Sequence, residues 1–323
     1  MRILSLAPLG GPGLDLLRAL GEVELDPWTE HVPIKLHSPT ELRARLEQVE
    51  VLIVEADHIP AEVLDGTSVR FLGVCRGDPN NVDIAAATAN GVVVIRTPGR
   101  NAAGVADLTV GLMFALLRQI VAADDDVRAG RWVVDGKIAQ QRYLGRELSS
   151  CTVGLVGYGA VGRATAQRLR ALGARVIAFD PYAREADVEM VADLGAMIAR
   201  SDILSIHAPM ADATRGLVGA EALARLRLGS YLVNTARYDI VAEEPMLAAL
   251  GDGRLAGAAF DHFHNEFLAP DHPLVSMPNV VLTPHIGGST YETIQTHTTA
   301  IAGAIEAVLA GRGSDAVVNP EAL

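Results

Sequence analysis

The sequence predicts an α/β protein with two doubly wound parallel-sheet domains and a cleft between them. Short apolar runs rich in Val and Ile alternate with amphipathic segments along the chain, which is typical of parallel strands joined by helices. Half of the residues are hydrophobic and only 4% are aromatic, as in Ala- and Val-rich α/β proteins. A length of 323 residues is enough for two domains that each bury a core.

The first hundred residues predict one of these sheets. Strands are expected at Ile3–Ala7, Val51–Val54, Phe71–Val74 and Val92–Ile95. Helices are expected between them, at Leu14–Leu20, Pro39–Gln48 and Asp83–Asn90. No glycine fingerprint follows any of these strands.

Two long helices are expected to mark where the chain changes domain. The first runs from Asn101, which is expected to cap it, to Gly130, and its apolar positions form a wide face. The second runs from Tyr291 to Ala310 and is able to cross back to the first sheet. We therefore expect a discontinuous substrate domain of residues 1–100 and 289–323 and an inserted domain of residues 101–288, with a hinge at the two crossings.

The most informative stretch lies between Cys151 and Asp180. Three glycines in G-x-G-x-x-G spacing follow an apolar run and open an amphipathic helix: Gly157, Gly159 and Gly162. A second apolar run, Val176–Phe179, then leads into Asp180. This strand, glycine turn, helix, strand and acid predict a Rossmann-like dinucleotide site, with a pyrophosphate at the helix start and Asp180 on a ribose. The alternative is a glycine-rich turn that binds nothing.

Asp180 favours NAD over NADP as the cofactor. A carboxylate at this position repels the 2′-phosphate of NADP, although Arg184 lies close in sequence and keeps NADP open as the less favoured choice.

Further strands are expected at Ile203–Ile206, Leu232–Asn234, Ala258–Phe260 and Val280–Leu282. Because ligands of open parallel sheets bind beyond the carboxyl ends of the strands, the polar residues that follow these runs are the site candidates. Three of them form a plausible catalytic set: Arg237, Glu266 and His285. Taken singly, each has an ordinary alternative, namely a salt-bridge partner, a loop acid and a structural histidine.

His262 and His264 raise the question of a metal site. In an extended segment the two side chains would share a face and could bind an ion with Asp261. No further ligand is suitably spaced, so no metal is expected. Cys75 is interpreted as a small buried residue rather than a nucleophile.

Composition excludes several classes of partner. The formal net charge of −12 disfavours nucleic acid and anionic membrane surfaces. Two cysteines without metal or disulfide spacing fit a reducing cytoplasm. The longest apolar stretch, Leu108–Leu117, is too short to span a membrane.

With these motifs in view, the sequence resembles the D-isomer-specific 2-hydroxyacid dehydrogenases, in a form similar to phosphoglycerate dehydrogenase without its C-terminal regulatory domain. The matching segments cover about Phe71 to Tyr291 in the family's order: NNVDIAAATANGVVVIRTPGRNAAGVADLTVGLM, VGLVGYGAVGR, HAPMADATRGLV, LVNTAR, GAAFDHFHNEFLAPDHPL and PNVVLTPHIGGST.

The resemblance implies hydride transfer between nicotinamide and a D-2-hydroxy or 2-keto acid. Arg237 would hold the substrate carboxylate and carbonyl, since its planar fork matches a carboxylate. His285 would be the acid–base, and Glu266 would fix its tautomer. Further cofactor contacts are implied at Ala160, Val161, Asp180, His207, Ala208, Thr235, Ala236, Asp261 and Gly287, with Asp261 at the nicotinamide carboxamide. The turn Arg76, Gly77, Asp78 would bind the substrate carboxylate.

The chain departs from the family pattern near the substrate. Arg76 stands in place of a small residue, Tyr238-Asp239 in place of Gly-Gly, and Phe267 in place of Pro. We interpret Arg76 as an extra cation for a second anionic or polyhydroxyl group, as in a sugar-derived or phosphorylated acid.

Two other functions fit the same fold. One is a dinucleotide-sensing binding protein of the corepressor kind, and the other is formate or phosphite oxidation. A homodimer is also expected, because the helix that starts at Asn101 carries more apolar positions than one face needs.

Overall fold

The computed structural model describes residues 1–323 and divides into two compact units. Unit 1 comprises Met1–Arg100 and Thr290–Leu323, and unit 2 comprises Asn101–Ser289. The chain therefore returns to unit 1 one residue beyond the second boundary expected from the sequence. Both units contain an all-parallel sheet with helices on its faces, so the predicted fold class is confirmed.

Unit 1 is a five-stranded parallel sheet in the order β2-β1-β3-β4-β5. Its strands are β1 (Arg2–Ser5), β2 (Glu22–Leu25), β3 (Val51–Val54), β4 (Phe71–Val74) and β5 (Val93–Arg96). Its helices are α1 (Pro12–Leu20), α2 (Pro39–Arg45), α3 (Ala61–Leu64), α4 (Ile84–Ala89) and α13 (Tyr291–Leu309). Strand β2 was not predicted, because its residues are mostly exposed and lack the apolar run of a buried strand.

One face of the unit 1 sheet is covered by helices from both segments of the unit. Leu17 of α1 and Ile301 and Ile305 of α13 pack with sheet residues such as Ile53 and Phe71 in one buried cluster. The two helices approach closely, because a Cβ at Gly13 would lie 2.4 Å from the backbone N of Thr299. The core of unit 1 is therefore incomplete without residues that follow unit 2 in the chain.

Unit 2 is a seven-stranded parallel sheet in the order β10-β9-β8-β11-β12-β13-β14, with a small antiparallel hairpin, β6-β7. Its strands are β6 (Val133–Val134), β7 (Lys137–Ile138), β8 (Thr152–Val156), β9 (Arg175–Phe179), β10 (Glu189–Met190), β11 (Ile203–Ile206), β12 (Ser230–Asn234), β13 (Leu255–Phe260) and β14 (Val280–Leu282). Its helices are α5 (Ala102–Leu117), α6 (Ile120–Arg128), α7 (Ala139–Arg142), α8 (Ala160–Ala171), α9 (Leu194–Ala199), α10 (Ala220–Ala224), α11 (Glu243–Gly251) and α12 (Pro273–Ser276).

The order in which strands are added to the sheet of unit 2 reverses at β8. Strands β9 and β11 lie on either side of β8, which carries the glycine turn at its carboxyl end. In open parallel sheets this switch point is where a ligand-binding crevice forms. The order of strands thus brings the glycine turn and the polar residues after β11 to β14 to one edge of the sheet.

The single helix predicted from Asn101 to Gly130 is wrong. Gln119 adopts a left-handed conformation, with φ of 51°, and the helix breaks there into α5 and α6, which are bent by 64°. The Asn101 side chain occupies the cap position of α5 but makes no capping hydrogen bond. Half of the residues in α5 are buried, so most of its apolar face is explained by the core of unit 2.

No single helix has the length and apolar character required to cross a membrane. Only α5 and α6 taken together, across their bend, meet that requirement of length and composition.

Candidate active site

A histidine–carboxylate pair lies at the carboxyl edge of the unit 2 sheet. His285 Nδ1 is 2.7 Å from Glu266 Oε1, although 19 residues separate them in sequence. The loops after β13 and β14 bring them together because these two strands are neighbours. The side chains are 42% and 55% exposed, and His285 Nε2 makes no hydrogen bond to the protein. One imidazole nitrogen is therefore held by a carboxylate while the other is open to exchange a proton.

The backbone around this pair is strained. Asn265, Glu266 and His285 all have positive φ, at 53°, 55° and 55°. Such values are uncommon for residues other than glycine and persist where the surroundings hold them. Both members of the pair are thus kept in place by conformations that the chain would not adopt unaided.

The buried carboxylate of Asp261 holds the loop that carries His285. Asp261 Oδ1 accepts hydrogen bonds from Thr283 Oγ1 at 2.6 Å and from the backbone N of Ile286 at 2.9 Å. Its Oδ2 accepts from the backbone N of Gly287 at 2.8 Å. Donors on both sides of His285 are therefore fixed to one carboxylate, which explains the strained geometry between them.

His262 also belongs to this cluster, although it is not among the catalytic residues expected from the sequence. Its Nε2 lies 3.5 Å from Glu266 Oε1, and its ring meets the His285 ring edge to face at a centroid distance of 4.9 Å. Burial, followed by the positive charge of Arg237, lowers the pKa of His262 to about 4. The spacing of His262 and Glu266 gave no signal, because i,i+4 contacts are expected in α-helices and this segment is not one.

His262 and His264, the pair considered and rejected as metal ligands with Asp261, contact different carboxylates. Phe263 between them is extended, and His264 Nδ1 lies 3.3 Å from Asp239 Oδ2. Asp261 is occupied by the loop after β14. The three residues considered as a metal set do not converge.

Arg237 follows β12 and is exposed at the same edge. Within unit 2 its Nη1 donates to the carbonyl of Ala236 at 3.2 Å, and its charge acts on His262 as described above. The next residue, Tyr238, is one of the positions at which the chain departs from the family pattern, and its side chain is part of the core. Tyr238 is buried against the rings of Phe260 and Phe263, at centroid distances of 5.5 and 5.7 Å.

The glycine turn fits a dinucleotide phosphate. Gly157 has a φ of 98°, and a Cβ there would lie 2.6 Å from the backbone N of Ala208. A Cβ at Gly162 would lie 2.4 Å from the carbonyl oxygen of Gly157, so this glycine permits the tight turn itself. Nothing lies within 4 Å of a Cβ at Gly159, and no side chain caps α8, whose first two residues are Ala160 and Val161. The first amides of α8 are therefore open to an anion.

Asp180 lies beside this turn. Its Oδ2 accepts a hydrogen bond from the backbone N of Tyr158 at 2.7 Å, and its Oδ1 accepts one from Tyr182 N at 2.8 Å. These bonds fix the carboxylate next to the glycine turn at the end of β9. The acid expected to contact a ribose is thus oriented by the turn expected to hold the phosphates.

The remaining cofactor candidates line the strand ends near the turn. His207 Nε2 is 2.9 Å from Ser205 Oγ, and burial lowers the pKa of His207 to about 4, which keeps it neutral near pH 7. Thr235 Oγ1 lies 2.8 Å from Thr109 Oγ1, and Ala236 N donates to Asn234 Oδ1 at 3.1 Å. Ala208 and Gly287 are buried where they approach Gly157 and Asp261.

In unit 1, the turn of Arg76, Gly77 and Asp78 follows β4. Arg76 Nε donates to the carbonyl of Glu55 at 2.6 Å, and its Nη1 donates to Asn80 Oδ1 at 3.2 Å, while Gly77 and Asp78 are exposed. The preceding Cys75 is fully buried, and burial raises the pKa of its thiol far above the usual range. Cys75 is therefore a core residue without nucleophilic character.

Unit 1 also contains a buried histidine–carboxylate pair. His37 Nδ1 lies 3.1 Å from Asp57 Oδ1, which also accepts a hydrogen bond from the backbone N of His37 at 2.9 Å. Arg45 Nη1 approaches His37 Nε2 at 3.0 Å. The side chains of His37 and Asp57 are 3% and 0% exposed, so both nitrogens of this imidazole are occupied away from solvent.

Comparisons with known proteins identify one family. Residues 110–287 match the model of the NAD-binding domain of the D-isomer-specific 2-hydroxyacid dehydrogenases. The chain is 37% identical over 320 residues to the glyoxylate reductase of Thermofilum pendens, covering 97% of this chain and 92% of that protein. It is 31% identical to the D-3-phosphoglycerate dehydrogenase of Methanocaldococcus jannaschii, covering 99% of this chain and 59% of that longer protein.

Solved structures show the same two-unit fold. The TT0316 protein of Thermus thermophilus superposes with a TM-score of 0.83 at 34% identity, covering 98% of this chain and all of that chain. The family resemblance seen in the sequence is therefore confirmed, and unit 2 contains an NAD(P)-binding domain. The protein belongs to the D-isomer-specific 2-hydroxyacid dehydrogenases, a family of oxidoreductases.

Proposed function

We propose that this protein transfers a hydride between NAD and a D-2-hydroxy acid or 2-keto acid, with Arg237, Glu266 and His285 as its catalytic residues. The observation that carries the proposal is the His285–Glu266 pair, at 2.7 Å with Nε2 open, on an NAD(P)-binding sheet. When bound, the nicotinamide supplies or accepts the hydride.

The catalytic steps assigned to the protein concern charge and protons. Arg237 binds the substrate carboxylate through two parallel hydrogen bonds and orients the carbonyl. During reduction, protonated His285 donates the proton on Nε2 to the carbonyl oxygen as it becomes a hydroxyl. In the reverse direction neutral His285 takes that proton. Glu266 accepts a hydrogen bond from Nδ1 in both directions, which leaves Nε2 facing the substrate.

A screen of 2-keto acids with NADH and NADPH tests the proposal. The panel includes glyoxylate, hydroxypyruvate, and sugar-derived and phosphorylated acids, and the decrease in reduced cofactor is followed by absorbance. Turnover of at least one acid, abolished in Arg237→Ala, is expected. Cofactor binding without turnover of any acid would favour the corepressor-like alternative, which the comparisons do not support.

We assign the cofactor contacts to three groups of residues. The pyrophosphate is held by Gly157, Gly159, Ala160, Val161 and Gly162, and the adenosine ribose by Asp180. The nicotinamide half is held by His207, Ala208, Thr235, Ala236, Asp261 and Gly287. The uncapped start of α8 and the open space at Gly159 support the first assignment.

We propose NAD rather than NADP as the physiological cofactor. The carboxylate of Asp180 is fixed by two backbone donors beside the glycine turn, where it repels a 2′-phosphate. Asp180→Ala is expected to weaken NADH binding and to raise the relative efficiency with NADPH. An unchanged cofactor preference in this variant would contradict the assignment.

The substrate is proposed to carry a second anionic or polyhydroxyl group, bound by Arg76 and the amides of Gly77 and Asp78. The exposed turn after β4 and the relatives named as glyoxylate reductase and phosphoglycerate dehydrogenase support a small, highly polar acid. Arg76→Ala is expected to lower kcat/KM more for the longer polar acids than for glyoxylate. An equal decrease for short and long acids would contradict this role.

We further propose that the protein is a homodimer in the cytoplasm. Large apolar side chains are exposed close together in sequence, namely Ile120, Val121, Val127, Trp132, Val133, Ile138 and Leu144. Half of the α5 residues are buried in unit 2, whereas this exposed segment is free to contact a second copy, so it supports the dimer proposal. A monomeric mass by light scattering would reject it. The cytoplasmic location remains a prediction based on two buried free cysteines.

A further inference from the structure

Three potential metal ligands converge on the edge of the unit 2 sheet. One nitrogen each of His262 and His285 and one carboxylate oxygen of Glu266 lie within 4.8 Å of one another. Glu266 Oε1 is 2.7 Å from His285 Nδ1 and 3.5 Å from His262 Nε2. The carboxylate oxygen thus lies between two imidazoles that come from different loops.

The chemistry of these ligands favours zinc and similar transition-metal ions. Two imidazoles and one carboxylate are typical zinc ligands, whereas Mg²⁺ and Ca²⁺ prefer oxygen alone. Ligand bonds of about 2.0–2.2 Å in a tetrahedral site place ligand atoms about 3.3–3.6 Å apart. The 3.5 Å separation already fits, and the 2.7 Å separation can lengthen because the Glu266 side chain is 55% exposed.

We propose that His262, Glu266 and His285 form an inhibitory site for Zn²⁺, with solvent as the fourth ligand. The ion is not a cofactor of hydride transfer. It replaces the proton between His285 Nδ1 and Glu266 Oε1, so the carboxylate can no longer hold the imidazole in its catalytic orientation. The inhibitory effect rests on the function proposed above, whereas the binding of the ion does not.

The surrounding residues give a matched control. His264 is two residues from His262, but it is 67% exposed and its Nδ1 lies 3.3 Å from Asp239 Oδ2, outside the cluster. Replacing either histidine by valine removes one imidazole from the same loop. Only the replacement of His262 removes a ligand.

Direct metal binding is the first test, made on the full chain without cofactor. Zn²⁺ affinity is measured by calorimetry, and Co²⁺ is added as a probe whose intense visible absorption reports four-coordinate binding. Loss of an outer-sphere partner alone weakens metal sites by about 10- to 100-fold, so His262→Val is expected to weaken binding at least as much. His264→Val is expected to bind as the wild type does.

Equal affinity of the wild type and His262→Val would overturn the site, as would an equal loss in His264→Val. Thermal melting of each variant checks that it is folded. His262→Gln, which keeps a polar side chain but removes the imidazole, is the second variant if valine destabilises the loop.

Inhibition is the second test. Zn²⁺ is expected to lower the turnover of the wild type in proportion to site occupancy, and chelation with EDTA is expected to restore it. Mg²⁺ at the same concentration is expected to have no effect, and His262→Val to require at least about tenfold more Zn²⁺. Unimpaired turnover with the site filled would overturn the inhibition. Absence of turnover with every keto acid would instead contradict the proposed function and leave the binding result intact.

Discussion

Each unit of this protein contains an imidazole in contact with a carboxylate, and the two pairs differ in what surrounds them. In unit 2, His285 and Glu266 are roughly half exposed, and Nε2 of His285 is open. In unit 1, His37 and Asp57 are buried, and Arg45 Nη1 contacts the second nitrogen of His37. Both pairs join a histidine to a carboxylate, glutamate in unit 2 and aspartate in unit 1. Only the first pair has a nitrogen that can exchange a proton with a ligand, so access to that nitrogen, rather than the pair itself, distinguishes the pair proposed to be catalytic from the buried one.

The buried pair has a structural consequence instead. His37 immediately precedes Ser38, which caps α2, and Asp57 follows β3. One carboxylate oxygen therefore ties the start of a helix to the end of a strand. Replacing residues in the two pairs should separate effects on turnover from effects on stability.

The largest expected effect is that of His285→Ala on turnover. Loss of a positioned acid–base lowers kcat by about 10²- to 10⁴-fold, with little change in cofactor affinity. In the matched variant His37→Ala, the folded fraction is expected to show normal kcat. Steady-state kinetics with active-site titration makes the comparison. Near-wild-type turnover of His285→Ala would remove this residue from the mechanism.

Glu266→Gln is expected to lower kcat by about 10- to 100-fold. The amide keeps the size of the side chain but loses the charge. The charge-assisted hydrogen bond to Nδ1, worth about 1.5–3 kcal/mol, is replaced by a weaker neutral one. Because Glu266 is exposed, the free energy of unfolding in urea should change by no more than about 0.5 kcal/mol. A variant that loses stability and keeps its turnover would place Glu266 in the structural class.

Asp57→Ala is expected to lower stability without affecting turnover, the opposite of Glu266→Gln. It leaves the backbone N–H and the Nδ1 of His37 buried without their acceptor, at a cost of about 1–3 kcal/mol for each group. Urea unfolding is expected to give a loss of about 2–6 kcal/mol, while the kcat of the folded fraction stays unchanged. An unchanged stability would mean that water replaces the carboxylate and that the buried pair holds nothing together.

The smallest effect is expected from His207, a third imidazole, which burial keeps neutral. The pKa of His207 is about 4 in the folded protein and close to 6.5 when unfolded. Between these values the unfolded chain binds a proton that the folded chain does not, so stability falls as the pH drops from 6.5 towards 4. His207→Gln should reduce the loss of unfolding free energy between pH 7 and pH 4.5 by about 1–2 kcal/mol. If the free energy of unfolding depended on pH in the same way in the wild type and in His207→Gln, His207 would not cause the loss of stability at low pH.

Much of the fold could be predicted because its signals are local. Apolar runs mark most strands of both sheets, and the spacing of Gly157, Gly159 and Gly162 marks the turn between β8 and α8. The pairing of Glu266 with His285 could be anticipated only through the family resemblance. Their contact depends on β13 and β14 being neighbours in the sheet, which neither residue's sequence context reveals.

The remaining features depend on tertiary structure. The break at Gln119 lies inside an apolar helical pattern and has neither Gly nor Pro to announce it. The position of His262 beside Glu266 requires the turn at His264–Glu266, in which Asn265 has a φ of 53°. The three donors on Asp261 come from residues more than 20 positions away in sequence. None of these features can be recognised from the pattern of neighbouring residues in the sequence.

The contribution of α13 to the first sheet has a consequence for the order of folding during synthesis. The ribosome releases unit 2 as one continuous segment, and it can fold as soon as residue 289 has emerged. The Met1–Arg100 segment of unit 1 must wait, because Ile301 and Ile305 fill one face of its sheet and are translated after unit 2. Until then that apolar face is exposed in the nascent chain, where it is prone to aggregation.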